Sequence, residues 1–488
     1  MAQKKSPRKS SAQRQVEKQA KKAAKKHPVA VLIIVLVVVL VLGAVGYFVY
    51  QHYLSEEANS SSLDSSSSDT SLVITSSSGD SSRTSSSSQP SDSSLSSESS
   101  QSSESSSSSD SSQPSTEGDY APISFHFIEQ GVPNSGDVIY IQAGDNDILI
   151  DGGAKQSVAK TVISYLDDHH LVSDGKLEYV IATHAHQDHL SGLYGVADKS
   201  EPSGKTGLLY HYKVGTLIDF SYYNTSTYCH LNDWTSTSEE FLAARANKNV
   251  TSVYESYLKA RDYAISNGAK HYLAKDLSSA GNNWKVSLGN GLEMEVLYQF
   301  FYDHTRDDVK TLDSSYSLSN FSDQNDCSVS VLFTQGNRHF LFTGDSEEYA
   351  EASLVKYNSL PHCDLFKAGH HGSYTASSDA LLDVIDPDLI VCCACAGNTE
   401  YASNLSHTFP AQEAIDRFAK HTDRVYVTTL GNPDDPTDKT THSPMNGNIV
   451  ASYDKTGKES VTFSENDLKL KDTAWFKKNR TCPAAWAA

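Results

Sequence analysis

A layered α/β fold is what residues 120–488 of this 488-residue chain predict, and three observations carry the expectation. Period-two apolar runs of strand length are interleaved with stretches of helical period. Gly, Asn and Asp separate neighbouring runs at hairpin spacing. Several runs end in loops crowded with His, Asp and Gly, and in open α/β structures chemistry collects on the loops that leave the carboxyl ends of strands.

Ile123, Phe125 and Phe127 alternate with Ser124 and His126, which gives a first strand. DVIYIQAG (137–144) and NDILIDGG (146–153), joined through a Gly-Asp-Asn turn, read as a hairpin. The period then changes: Val158, Val162 and Leu166, flanked by Ala159 and Ile163, make a helical stripe from about Lys155 to His170. Tyr179-Val180-Ile181-Ala182 is the next strand, short and apolar.

Residues 199–325 are less regular and rich in Tyr, Asn and Ser, and are expected to be an insertion that covers one side of the molecule. Within it Ser252 and Glu255 predict a capping box for a helix with Val253, Tyr257, Ala260 and Ala264 on one face, and LEMEVLY (292–298) predicts a strand. Order returns at Asp326. CSVSVLFT (327–334) and HFLFTGD (339–345) form a second predicted hairpin, and the acidic Ser346-Glu347-Glu348 suits a helix amino terminus beyond it. CDLFKAGHHGS (363–373) is a strand running into a polar loop, and LIVCCAC (389–395), RVYVTT (424–429) and GNIVASY (447–453) add strands. Pro410 opens an amphipathic helix carrying Ala414, Ile415 and Phe418.

The amino-terminal part is of another kind. Residues 1–28 carry ten Lys and Arg against Glu17 alone. Val29 to Tyr50 is a run of twenty-two residues without a charge, long enough at ~1.5 Å per residue to cross a hydrocarbon core of about 30 Å. Basic residues on its amino side place that terminus in the cytoplasm and everything after Tyr50 outside. Tyr47-Phe48-Val49-Tyr50, rather than a small-x-small cleavage site, follows the apolar run, so an uncleaved signal-anchor helix is expected at 29–50. Residues 51–119 are dominated by Ser and nearly empty of apolar side chains, a composition that cannot offset its ordering entropy and predicts a disordered tether. Its mean span is on the order of 45 Å.

The chain carries a formal charge of −20, and with the basic tail and the tether set aside residues 120–488 carry −19. Such a domain has no general attraction for polyanions, so tight binding of long DNA is not expected, and the lysines of 199–325 are interspersed with acids. Of seven cysteines, Cys392, Cys393 and Cys395 follow Leu389-Ile390-Val391 in a strand, where they serve as small buried apolar residues. Cys229 and Cys482 lie in polar surroundings and could pair.

The densest chemistry is THAHQDHLSG, Thr183 to Gly192, which places His184, His186, Asp188 and His189 within six positions just after a strand. Imidazole and carboxylate are the usual ligands for zinc-like ions, and hydrolytic sites leave a position open for water. Alternate residues of an extended stretch face the same way, so His184 and His186 suit one ion, while Asp188 and His189, past the turn, suit a second.

This segment resembles the H-x-H-x-D-H signature of the metallo-β-lactamase fold superfamily. ILIDGG with Asp151, LFTGD with Asp345 and HHGS at 370–373 resemble its other motifs in chain order. QNDCSVSVLF, FLFTGD, KAGHHGS and the later VYVTT and NGNIV are similar to the hydrolase domain of ComEC-type competence proteins. The resemblance implies a four-layer αββα sandwich and two divalent metal ions, zinc or manganese. It implies that His184, His186, Asp188, His189, Asp345 and His370 are metal ligands, with Asp151 behind them. Where the family has a further histidine this chain has Asn325-Asp326-Cys327, so Asp326 or water would complete one ion's coordination. The implied mechanism sets a hydroxide between the metals, oriented or deprotonated by Asp188. His371 or His407 assists the leaving oxygen, and Ser373 donates to phosphate. The implied activity is that of a phosphodiesterase or nuclease on a small or oligomeric phosphodiester. Two rivals are a same-fold hydrolase of a lactam, lactone or thioester, and a surface-displayed binding module with a structural or vestigial metal site.

Overall fold

The computed structural model describes residues 119–224, 229–231, 234–312, 314–315, 324–402 and 404–487. The basic tail, the apolar run 29–50 and all of the Ser-rich stretch except Asp119 lie outside the described residues. No helix among the described residues is long and apolar enough to cross a membrane.

Two eight-stranded sheets dominate the described residues. The first runs, in spatial order, Glu459–Phe463, Ile449–Tyr453, Ile123–Phe127, Ile139–Ala143, Asn146–Ile150, Lys176–Ile181, Lys213–Asp219 and Lys270–Leu273. The second runs His442–Pro444, Val425–Gly431, Ile390–Ala396, Leu365–Lys367, Arg338–Phe342, Ser330–Gln335, Leu292–Leu297 and Trp284–Gly289. Hairpins are antiparallel, and strands reached through helices are parallel: Asn146–Ile150 with Lys176–Ile181, and Arg338–Phe342 with Leu365–Lys367.

The period-two patterns explain how the sheets stack. Phe340 and Phe342 face the first sheet, where the Phe125 ring lies 4.7 and 5.4 Å from theirs. Leu341 between them points the other way, into a second core with Leu354, Leu382 and Ile415 from the helices Glu348–Tyr357, Asp379–Ile385 and Gln412–Phe418. Val391 and Cys393 share the inter-sheet core while Ile390 and Cys392 join the helix-covered one. Strands buried on both faces must be apolar throughout, which is why LIVCCAC reads as an unbroken run. On the first sheet, Phe125 and Phe127 point inward, and His126 turns outward to meet Tyr165 of the helix Val158–Asp168, Nδ1 to hydroxyl at 2.8 Å.

Three expectations are corrected. Residues 199–325 are no mere cover: they supply Lys213–Asp219 and Lys270–Leu273 to the first sheet and Trp284–Gly289 and Leu292–Leu297 to the second. The helix Ser252–Ser266 is capped one residue earlier than its box implies. Thr251 Oγ1 accepts from the Tyr254 amide at 3.1 Å, and Glu255 pairs with Lys259 and Arg245 at 2.7 and 3.0 Å. Cys482 is a free, exposed thiol, whereas the side chain of Cys229 lies outside the described residues. Cys392, Cys393 and Cys395 are buried thiols in the strand, as their composition suggests.

Candidate metal centre

Four strand ends converge at one edge of the sheet pair. Lys176–Ile181 leads to His184, Asn146–Ile150 to Asp151, Arg338–Phe342 to Asp345, and Leu365–Lys367 to His370 and His371. The Val329 amide donates to the Thr183 carbonyl at 2.9 Å and so ties the two sheets together at this level. His186 caps the helix Gln187–Tyr194, so Asp188 and His189 lie in its first turn rather than on an open loop. That helix approaches the backbone of its neighbours closely. A Cβ on Gly136 would stand 2.5 Å from the Asp188 carbonyl, and one on Gly192 would stand 1.9 Å from that of Gly152, so only glycine fits at either place.

Asp345 Oδ2 is the hub. Nε2 of His189 lies 3.1 Å from it, that of His371 3.3 Å, that of His370 3.8 Å and that of His184 3.9 Å. The His186 ring packs edge-on against His184 at 4.7 Å. Asp188 Oδ2 is 3.4 Å from His371 Nε2 and accepts from the Tyr401 hydroxyl at 2.9 Å. Asp188, His189, Asp345 and His371 form one compact donor group, every member buried.

A second layer aims these donors. Asp151 is fully buried, with φ at +59°, and accepts from the Thr183 amide at 2.8 Å, the Thr183 hydroxyl at 2.7 Å and His189 Nδ1 at 2.7 Å. The last bond fixes the imidazole so that Nε2 faces Asp345. Asp137 Oδ1 lies 3.2 Å from His371 Nδ1, an ion-pair distance behind that ring. Lys367, buried, pairs with Asp137, donates to the Gly344 carbonyl at 3.0 Å and stands 3.5 Å from Asp345 Oδ1.

The adjacent histidines differ from expectation. An extended chain would turn His370 inward and leave His371 behind it. Instead both take positive φ, 44° and 57°, which brings both rings to Asp345. His371 is fully buried on Asp137, while His370 is partly exposed and bonds through Nδ1 to Glu347 at 2.9 Å.

The electrostatics follow from this crowding. Burial alone raises a carboxyl and lowers an imidazole. At Asp345 burial is outweighed by the charges of His189, His371, His370 and Lys367, which hold the carboxyl well below its usual range. At Asp188 burial is likewise outweighed, by the nearby His371 and by the charge of His189. His189 and His371 are pushed up against their burial, first by Asp345 and then by Asp151 and Asp137 respectively. His184 is held low by burial and by the charges of His189 and His186.

The donor set fits divalent cations. Asp137, Asp151, Asp188 and Asp345 are four buried carboxyl groups, and the buried Lys367 reaches Asp137 and Asp345. His184 Nε2, His189 Nε2, His371 Nε2 and Asp345 Oδ2 are buried without hydrogen-bond partners, a state that buried polar atoms avoid. Cations among them would satisfy both the excess charge and the lone pairs.

Other expected residues sit elsewhere. His407 pairs with Glu413 at 3.3 Å and stacks on Tyr374 at 4.3 Å. The Ser373 hydroxyl meets Thr375 Oγ1 at 2.8 Å and accepts from the Thr375 amide at 3.2 Å, which closes a turn instead of facing the donors. Asp326 Oδ1 accepts from the amides of Glu347 and Ala350 at the start of Glu348–Tyr357, so this carboxylate serves a helix terminus. Asp137, Lys367, Glu347 and Tyr401 belong to the site without any motif that marks them. A lysine closing the apolar run LFK, and an aspartate opening VIYI, were the available signals, because a charge beside a buried strand demands a partner.

Residues 131–223 match the family model described as metallo-beta-lactamase superfamily. No curated protein sequence matches the chain. Among solved structures, the chain is similar to the metallo-beta-lactamase fold protein YhfI from Bacillus subtilis at 10% identity and a TM-score of 0.31, covering 66% of this chain and 99% of that one. It is also similar to the short form of human tRNase Z at 10% identity and a TM-score of 0.29, covering 66% and 99%. A diphosphatase from the PhnP family is similar at 12% identity and a TM-score of 0.27, covering 55% and 85%. The match at 131–223 takes in Asp151 and the cluster of His184, His186, Asp188 and His189, so the part of the chain that is similar to this superfamily is the part that supplies the first sheet's donors.

Proposed function

We propose that the protein is a metal-dependent phosphodiesterase, held at the outer face of a membrane by the apolar run 29–50. One observation carries the hydrolytic part: donors from both sheets close on Asp345 Oδ2, with Nε2 of His189 and His371 at 3.1 and 3.3 Å. His184, His186 and Asp345 would hold one ion, and Asp188, His189, Asp345 and His371 the other. Divalent cations in such a set acidify water and withdraw charge from a phosphoryl oxygen. Asp188 Oδ2, steadied by Tyr401, accepts a proton from water. His370, partly exposed and backed by Glu347, which also accepts from Asn325, would hold a proton for the leaving oxygen. Lys367 keeps Asp345 ionised.

The preference for phosphodiesters draws support from the likeness of QNDCSVSVLF, FLFTGD and KAGHHGS to ComEC-type hydrolase domains. The acidity of 120–488 favours a small or oligomeric diester over long DNA. The outward location draws on ten basic residues preceding twenty-two uncharged ones, and the Ser-rich stretch after them would act as the tether of the αββα domain.

The test is metal analysis of the purified protein followed by turnover assays on an aryl phosphodiester, single-stranded DNA, a lactone and a β-lactam, with Asp188→Ala as control. Metal-dependent cleavage of the diester that Asp188→Ala abolishes is expected. Cleavage of the lactone alone would move the protein to the lactonase reading, and no turnover on any substrate would leave a binding module.

A further inference from the structure

A second group of reactive side chains lies on the outer face of the first sheet. Ser124 and His126 stand two positions apart on the strand Ile123–Phe127 and therefore share a face. Ser124 Oγ lies 3.0 Å from His126 Nε2, and His126 Nδ1 lies 2.8 Å from the Tyr165 hydroxyl. A hydroxyl within reach of an imidazole whose other nitrogen is held by a third group is the arrangement that makes serine a nucleophile. Burial lowers the His126 imidazole to about 4, so at neutral pH the ring is uncharged and has a lone pair with which to accept a proton. Ser124 is in register with Gln142, and Gln142 with Asp147, which puts this group near the end of Asn146–Ile150 opposite Asp151 and the metal centre.

The serine also has room in front of it. Ser124 lines a cavity of about 560 Å3, a volume suited to a small molecule. Gln142 and Ser452, directly opposite Ser124 on the two neighbouring strands, line the same cavity. Side chains so placed share a face with Ser124, and amide and hydroxyl groups are the kind that steady a developing oxyanion. The carboxylates at the cavity wall are already engaged. Glu459 accepts from the Tyr453 hydroxyl at 2.9 Å and pairs with Arg424. Asp454 accepts from the Thr456 amide and hydroxyl at 2.8 and 2.7 Å and from the Lys458 amide at 3.0 Å. A floor of hydroxyl and amide groups suits an uncharged ligand.

We propose that Ser124 is the nucleophile of a second, metal-independent site that cleaves small uncharged carboxylic esters, with His126 as its base and Tyr165 holding the imidazole. With the proton of Nδ1 on the Tyr165 oxygen, Nε2 takes the proton of Ser124 as Oγ bonds to the ester carbonyl carbon. That proton passes to the departing alkoxide as the C–O bond breaks, leaving acyl-Ser124 and an alcohol. Water then attacks the acyl carbon and gives a proton to Nε2, the acid leaves, and Oγ takes the proton back. One ester and one water become one acid and one alcohol. None of these groups belongs to the metal centre, so the reaction stands or falls apart from the phosphodiesterase reading.

Treatment of the full-length protein with diisopropyl fluorophosphate in the presence of EDTA, followed by mass spectrometry of its peptides, tests the site with the metal centre silenced. Ser124 is expected to carry the diisopropylphosphoryl group, fluoride having left, and turnover of p-nitrophenyl acetate should fall in step with labelling. Ser124→Ala should abolish both, and His126→Asn should slow both about 100-fold. Tyr165→Phe, which removes the group that holds Nδ1, should lower kcat and leave KM unchanged, whereas a merely structural role would move neither. Thermal unfolding confirms that each variant is folded, and labelling of the parent protein decides the matter even where a variant is not. A label on another residue, no label at all, or ester turnover that survives in Ser124→Ala would overturn the site.

Discussion

His189 Nδ1 and Asp151 Oδ2 lie 2.7 Å apart, and because that nitrogen is taken, Nε2 on the far side of the ring is the one that faces Asp345. Asp151 therefore shapes the centre without belonging to the donor group around Asp345. Asp151→Asn, which keeps the volume and weakens the hold on the imidazole, should lower Zn2+ affinity about 10–100-fold. Competition against a chromophoric chelator measures it, and an unchanged affinity would remove Asp151 from the role assigned here.

Lys367 makes a second prediction, about the fold. Its ammonium sits between Asp137 and Asp345 with almost no solvent access. Lys367→Met removes the permanent cation between the two carboxylates and should cost about 3–5 kcal/mol of unfolding free energy. Urea denaturation in the presence of EDTA reads the cost directly, and added Zn2+ should restore part of it.

A third prediction concerns pH and lies on the outer face of the first sheet. Burial, aided by the charge of His169, lowers the imidazole of His126 to about 4 from its ordinary 6.5. The unfolded chain thus binds a proton at a pH where the folded one does not. The stability from this site is complete above about pH 6.5 and drains as the pH falls toward 4, by about 3 kcal/mol between pH 7 and 4. In His126→Asn that part of the acid sensitivity should vanish. An identical acid profile in parent and variant, measured by urea unfolding at several pH values, would contradict it.

The fourth separates two histidines. His371 is buried 3.3 Å from Asp345, whereas His407 stands on Glu413 and Tyr374. His371→Ala should reduce kcat at least 100-fold more than His407→Ala does. Metal content of both variants should be determined alongside, since His371→Ala is expected to lose bound ion and His407→Ala to retain it.

Much of this was legible in the residues. Alternation in SFHF, YIQA and HFLF found the central strands, and the two four-residue steps from Val158 to Val162 and Leu166 found a helix with one buried side. The strand-end aspartates and THAHQDH located the centre because buried donors must come from short, densely polar loops. The extent of the two sheets was less legible. Lys213–Asp219 and Lys270–Leu273 lie toward the edge of the first sheet, and their first residues, exposed or half-buried, dilute the patterns with Lys, Gly, Thr and His. The roles of His370 and His371 were hidden for another reason. They depend on two consecutive left-handed backbone conformations, and adjacency in sequence reveals nothing of φ.

The hydrogen bond from Val329 to Thr183 marks where two halves of the chain meet. On one side stand His184, Asp188 and His189, on the other Asp345 and His371, separated by more than a hundred and fifty positions of sequence. Neither half holds the whole donor group, so the constellation comes into being only when the sheets have docked. Capture of an ion there would be a late checkpoint of assembly, and a loaded centre would certify a completed molecule, locking the two halves like a clasp.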